Sequence, residues 1–403
     1  MAYAEFDYNL TDEQKATRDM VRKFGAEVVR PAGIELDQMA DPADVIAEGS
    51  VLWDVLKQSR ELGFHKRNFT KAFGGMAEEM DPMMNLLSTE ELGYADAGLA
   101  ISLAVAGMPF AYCQMFPVPK LQDLARAYVE DTECNLIGCW GITEPNHGGD
   151  WGLAADDPKI TPDLKGVLKG DEYIINGQKA AWVSNGTIAT HSFLHIGLDP
   201  SKGMRGQGIA ICPLDLPGVT RGKPLDKIGQ RPLNQGEIFF DDVRLPKEYM
   251  ILPEVPVNRY RGGGQPPMAG MAVLFGGLAK AALDEGIAYA KERIQGGVPI
   301  IEHKNIQLKL FEMFMKVESA RALARQMYFF NAFSGTNSML HTMAGKWMST
   351  EVAFQVASEA IQIHGGNGLS REYLIEKLFR DARASMIEDG VNESLALGVV
   401  TDF

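Results

Sequence analysis

Gly141-Ile142-Thr143-Glu144-Pro145-Asn146-His147-Gly148-Gly149-Asp150 divides the chain into regions of different character. A proline, an asparagine and three glycines in ten residues break any regular element, so the segment reads as a turn-rich loop. Upstream, to about residue 133, the pattern is helical. Thr11-Asp12-Glu13-Gln14 has the form of a capping box, and Ala16, Met20, Phe24 and Val28 then recur every four residues. A second helical pattern from Asn85 to about Ala106 contains Glu90-Glu91-Leu92 and many small apolar residues, which suits a buried helix better than an amphipathic one.

Downstream the pattern shortens to β-type runs. Tyr173-Ile174-Ile175 precedes Asn176-Gly177, a hairpin signal, and Phe193–Leu198, Gly208–Cys212 and Glu237–Val243 follow. Residues 134–247 therefore read as a small antiparallel β domain. From about 248 a Pro/Gly-rich stretch, Pro253 to Pro267, gives way to helices. One carries Ile306, Leu310, Met313, Phe314 and Val317 on a single face, and another leads to Gly365-Gly366. The expectation is an α+β chain in three domains: helical 1–133, β 134–247 and helical 248–403.

The 403 residues carry a net charge of −14, which leaves no basic stripe for nucleic acid. Cys113, Cys134, Cys139 and Cys212 form no CxxC pair and lie at no metal-ligand spacing from a histidine, so no metal site is expected and buried free thiols are. The N-terminus lacks a basic and then apolar leader, and the Met268–Ala282 run is too short to cross a membrane. A cytoplasmic protein with no membrane partner is the expectation.

No GxGxxG follows a strand, and GxSxG, P-loop and HExxH motifs are absent. Four further segments accompany the opening loop in a fixed order: Trp182-Val183-Ser184-Asn185-Gly186, Phe239-Phe240-Asp241-Asp242-Val243-Arg244-Leu245-Pro246, Ile363-His364-Gly365-Gly366-Asn367-Gly368 and Phe379-Arg380-Asp381-Ala382-Arg383. In that order and spacing the chain resembles the FAD-dependent acyl-CoA dehydrogenases, from Phe6 to about Leu397. The resemblance implies a helical domain, a β domain and a C-terminal four-helix bundle. It also implies α,β-dehydrogenation, in which a carboxylate removes the proton α to the thioester carbonyl and a hydride leaves Cβ for flavin N5. FAD contacts are implied for Trp140, Ile142, Thr143, Gly148, Gly149, Trp182, Ser184, Val391 and Glu393. Arg293, Gln362, Gly365 and Gly366 would reach the FAD of a neighbouring subunit, which implies a homo-oligomer, typically a tetramer. An electron-transfer flavoprotein is the implied electron acceptor.

Counting from Arg380-Asp381, the family's base falls on Asp389 instead of glutamate, and the Thr two residues later is Val391. Aspartate reaches about 1.5 Å less, and a misplacement near 1 Å costs roughly a hundredfold in rate. Asp389 is the favoured base. Glu388, or a carboxylate among Glu90, Glu91 and Asp96, is the alternative, with Gly390, Glu90 and Asp96 as substrate contacts. Glu90 and Glu91 also read as plain helix acids, and Asp96 as a helix cap. Other departures are Gly149 for serine, one extra residue between Lys179 and Trp182, Pro267 and Met268 in an alternative base slot, Gly296-Gly297, and Lys304. They point to a branched, cyclic or aromatic acyl group. The competing readings are a flavin-dependent monooxygenase of the same fold and a non-catalytic flavin- or acyl-CoA-binding subunit.

Overall fold

The capping box expected at Thr11 forms. Gln14 N–H donates to the threonine hydroxyl at 3.2 Å, and Thr11 N–H donates back to the Gln14 side chain at 3.0 Å. In the computed structural model, residues 3, 9–78, 81–151, 157–255 and 267–400 are described. From the cap run α1 (Asp12–Phe24), a π turn over Gly25–Val29, α2 (Arg30–Gln38), α3 (Pro42–Val45) and α4 (Val51–Glu61). The single helix read from Asn85 onward is two, α5 (Pro82–Ala95) and α6 (Ala97–Cys113). Asp96 divides them: its backbone is extended, and its carboxylate accepts from Leu99 N–H at 2.9 Å, capping α6. Helix α7 (Pro119–Glu130) completes this part.

The middle region holds β1 (Gly138–Gly141), β2 (Lys165–Lys169), β3 (Glu172–Ser184), β4 (His191–Gly197), β5 (Gln207–Pro213), β6 (Val219–Arg221), β7 (Gln235–Pro246) and β8 (Met250–Leu252). The strand order is β6-β7-β3-β2-β4-β5-β8, with β1 beside β4. The sheet is not wholly antiparallel, because β1 and β2 each pair with β4 in parallel. Asn176-Gly177 is also not a hairpin turn. It lies inside β3, where Gly177 (φ 128°) marks a register skip against β7, and the Asn176 side chain exchanges hydrogen bonds with Asp242 on that strand. The β2–β3 turn is made by Gly170 at φ 64°. A second skip, between Lys179 and Val183, absorbs the extra length before Trp182.

Residues 256–266, most of the Pro/Gly-rich stretch, lie outside the described residues. Beyond them come α8 (Pro267–Glu292), a two-stranded ribbon β9 (Ile294–Gln295) and β10 (Val298–Pro299), α9 (Lys304–Phe333), α10 (Met339–His364), α11 (Leu374–Ser385) and α12 (Asn392–Leu397). Helices α8 to α11 pack as a bundle around Leu278, Ala282, Met313, Val317, Val356 and Leu378. Of the face read on α9, Leu310, Met313 and Val317 are buried, and Ile306 and Phe314 pack against the same core.

Helix α5 joins the bundle by close approach of backbones. A Cβ at Gly93 would sit 2.1 Å from the Leu274 carbonyl oxygen, and one at Gly277 would sit 2.1 Å from that of Glu90. All four cysteines are free and buried, and burial pushes the thiols of Cys113 and Cys139 up to about 12. Among the described residues no helix is long and apolar enough to cross a membrane.

Candidate active site

The 141–150 loop is fastened to β3 by a buried ion pair. Lys179 Nζ lies 2.6 Å from the Glu144 carboxylate with both side chains fully enclosed, and it also donates to the Ile142 carbonyl at 3.1 Å. Burial brings the lysine down to about 8, against the pull of Glu144. Glu144 also accepts from the backbone N–H groups of Asp163 and Leu164, and the Thr143 carbonyl accepts from Ala180 N–H at 2.9 Å. Thr143 is therefore held beside β3 two residues before Trp182. That indole is 57% exposed, and Ser184 follows on the same side of the strand. Trp140 lies at the loop entrance with its indole N–H buried and no acceptor among the described residues.

The turn after α11 carries the carboxylates. Because α11 ends at Ser385, Glu388 and Asp389 are not on a helix, and their directions do not follow from helical spacing. Asp389 adopts φ 50° and Gly390 φ 101°, a left-handed pair that reverses the chain into α12. Val391 precedes the first turn of α12, and Glu393 is exposed within it. Helix α12 returns this turn to the opening loop: a Cβ at Gly149 would lie 3.0 Å from Ser394 Oγ. The space a serine at 149 would use is taken by Ser394.

A chain of hydrogen bonds joins the turn to β3. Gln230 Nε2 donates to Glu388 at 2.6 Å. Lys227 Nζ donates to the carbonyls of Gln230 (2.9 Å) and Leu233 (2.6 Å) and to Gln235 Oε1 (2.8 Å). Gln235 Nε2 then donates to the Trp182 carbonyl at 3.1 Å and to Ser184 Oγ at 3.2 Å. On the other side, Lys346 from α10 donates to the Gly390 carbonyl and to Asn392 Oδ1, both at 2.8 Å.

Burial dominates the electrostatics of this group. It pushes Glu388 up to about 7, with Gln230 lowering and Asp389 raising the value, and it raises Asp389 against the opposing pull of Lys346. It also brings Lys227 down to about 7 and Lys346 to about 8. The arrangement sets two carboxyl groups of raised proton affinity between two lysines of lowered affinity, a setting suited to proton transfer near neutral pH.

Glu90 and Asp96 do not join this group. Both Glu90 oxygens are taken by Arg321 and Arg325, whose guanidinium groups overcome its burial and hold it near 2. The second Asp96 oxygen accepts from Lys377 at 2.5 Å, and Lys377 also holds Asp381 at 2.6 Å. Both acids are locked in buried ion pairs that support the structure. Glu90 is thus a buried acid within α5, and Asp96 is the cap of α6.

Arg293, Gln362, Gly365 and Gly366 gather elsewhere. They line a cleft of about 510 Å³ at the end of α10, with Gln295, His303 and a stacked Tyr289–His364 pair whose centroids are 4.0 Å apart. Gly365 lies nineteen residues beyond Lys346, about 28 Å along the helix axis. The two groups are thus separate places on one chain.

The motifs did not reveal Lys227, Gln230, Gln235, Lys346, Asn392 or Ser394. Lys346 left a trace, a lone charge inside the apolar helix segment Met343–Met348. The polar loop 227–235 left none.

Comparison with known proteins accords with this arrangement. Family models described as the N-terminal, middle and C-terminal domains of acyl-CoA dehydrogenase match residues 11–116, 139–243 and 269–401. The probable acyl-CoA dehydrogenase YngJ of Bacillus subtilis is 32% identical over 96% of this chain and 97% of its own. A cyclohex-1-ene-1-carbonyl-CoA dehydrogenase of Geobacter metallireducens is 29% identical over 96% of each. The solved butyryl-CoA dehydrogenase of Megasphaera elsdenii superposes with a TM-score of 0.83 at 28% identity, covering 98% of this chain and 99% of that one. With all three domain models matched in order along it, the chain belongs to the acyl-CoA dehydrogenase family of flavoprotein oxidoreductases.

Proposed function

We propose that this chain is an FAD-dependent dehydrogenase of an acyl-CoA thioester whose acyl group is branched, cyclic or aromatic, with Asp389 as the base. One observation carries the reading. The turn bearing Asp389 is partly buried, abuts the Gly149 loop through Ser394, and is tied by hydrogen bonds to Ser184. An acid so placed keeps its proton more tightly than an ordinary carboxylate, as a base for a weakly acidic C–H requires.

The residues fit the cofactor. The buried Trp140 N–H has no acceptor among the described residues, and a Cβ at Gly148, Gly365 or Gly366 would meet nothing within 4 Å, so bare backbone there faces open space. Thr143, Trp182 and Ser184 would hold the flavin ring, and Gly148 and Gly149 its polar arm. The flavin supplies the hydride acceptor. Asp389 takes the α-proton at its carboxylate, and the Gly390 backbone sets where that carboxylate stands.

Arg293, Gln362, Gly365 and Gly366 would serve the FAD of a second copy. The working form is then a homo-oligomer, a tetramer on the family pattern, reoxidised by an electron-transfer flavoprotein. Leu308, Phe311 and Met315, all exposed along α9, supply apolar surface for such an assembly. The ring preference rests on the departures near the base and on the cyclohexene-carbonyl relative.

The test is a panel of CoA thioesters scored by anaerobic bleaching of the yellow protein. Cyclic, branched or aromatic thioesters should bleach it fastest. Rapid bleaching by medium straight-chain thioesters, with cyclic ones inert, would overturn the substrate reading, and bleaching by none would overturn the dehydrogenase reading. Asp389→Asn should abolish bleaching with FAD still bound. Unchanged bleaching would transfer the base role to another residue.

A further inference from the structure

We infer that Lys346 is the positioning residue of the short base: it clamps the Asp389–Asn392 turn and fixes where the Asp389 carboxylate stands. The inference rests on Asp389 being the base. Lys346 is fully buried in the N-terminal third of α10, where an ammonium is costly unless its donors are used. Two of them go to the turn, one to the Gly390 carbonyl and one to Asn392 Oδ1, both at 2.8 Å. Asn392 is fixed in turn: its amide donates to Thr350 Oγ1 at 3.0 Å, and its backbone N–H donates to the Met386 carbonyl at 3.2 Å.

This explains how Asp389 stays in a left-handed conformation that L-residues disfavour. The Gly390 carbonyl and the Asn392 side chain are both held by Lys346, which resists relaxation of the turn into the extended or helical alternatives. A glutamate in this slot could correct its reach through an extra rotatable bond. An aspartate depends on the backbone being right, and the backbone is what Lys346 holds.

The charge acts as well as the geometry. Asp389, Glu388 and Glu393 face Lys346 from the turn and from α12 and keep it protonated to about 8 despite burial. Lys227 and Gln230 approach Glu388 from the opposite side. Lys346 is the cation that opposes the rise in Asp389's proton affinity. Removing that cation leaves burial unopposed, so the Asp389 proton is held more tightly.

The experiment compares Lys346→Met, which loses charge and clamp, with Asn392→Ala, which keeps the charge and weakens the clamp. Aspartate carboxyl carbons are labelled with 13C in the holoenzyme, and the Asp389 signal is identified by its loss in Asp389→Asn. Lys346→Met should raise the Asp389 titration midpoint by roughly one pH unit. The acidic limb of anaerobic flavin reduction should move up with it, about tenfold slower at a pH below that limb. Asn392→Ala should slow reduction about tenfold at every pH without moving the midpoint.

An unmoved midpoint in Lys346→Met, or reduction in Asn392→Ala within about threefold of the parent, overturns the inference. Should Lys346→Met not fold, Asn392→Ala decides alone. Failure of the underlying reading looks different, since Asp389→Asn would then still be bleached. The midpoint measurement requires no substrate.

Discussion

Asp389 and Glu388 are neighbours in sequence but differ in their partners. Glu388 accepts from Gln230, whereas Asp389 is held through the Gly390 carbonyl bonded by Lys346. Burial, with Asp389 beside it, pushes Glu388 up to about 7 against the hydrogen bond from Gln230, and this gives a stability prediction. Its proton affinity is higher folded than unfolded, so its contribution is fully present below the ordinary glutamate range and is lost as pH rises through about 7. The melting temperature of Glu388→Gln minus that of the parent should therefore grow between about pH 5 and 7.5. A difference that stays flat would show that Glu388 is already ionised in the folded chain. Position 389 could be read from the motif spacing that starts at Arg380. Its conformation could not, because the left-handed turn is imposed by Lys346 and Asn392, one of them 43 residues earlier in the chain.

Elements were legible where local chemistry alone fixes them. The Thr11–Gln14 box, the α9 face and the β-rich runs all needed only neighbours within a few residues. Asn176-Gly177 misled because the dipeptide suits a bulge as well as a turn, and only pairing with β7, some 66 residues away, decides between them. The single helix expected over 85–106 is divided by a capping aspartate whose second oxygen answers Lys377, 281 residues on. The fastening of the opening loop to β3 was equally silent in the sequence. Removing one partner of the enclosed Glu144–Lys179 pair leaves a buried charge, so Glu144→Gln should cost about 3–5 kcal/mol in urea unfolding. Replacing both partners by apolar residues of similar volume should cost much less. Equal losses in single and double variants would mean that packing, not charge, fastens the loop.

At the scale of the molecule, the α5–α8 crossing joins the N-terminal helices to the bundle. Backbone meets backbone at Gly93 and Gly277, where no side chain can enter. Gly277→Ala would drive a methyl group into the Glu90 carbonyl, and the expected result is a loss of at least 1–3 kcal/mol from forced separation of the helices. Full stability would mean that the helices slide apart freely. If a second copy completes each FAD site, the two groups about 28 Å apart along α10 make retention of FAD depend on protein concentration. Flavin should dissociate on dilution before the far-ultraviolet circular dichroism changes. Arg293→Ala should move that release to higher protein concentration.

The sulfur atoms offer a way to watch one region alone. Cys113, Cys139 and Cys212, at the end of α6, within β1 and within β5, all pack in the core of the β domain, whereas Cys134 packs against the helical core. With acidity suppressed and solvent excluded, these three cannot react until that region opens. Alkylation with iodoacetamide becomes a clock for opening of the middle of the chain, silent to fraying at either end, and its rate should fall when FAD is added.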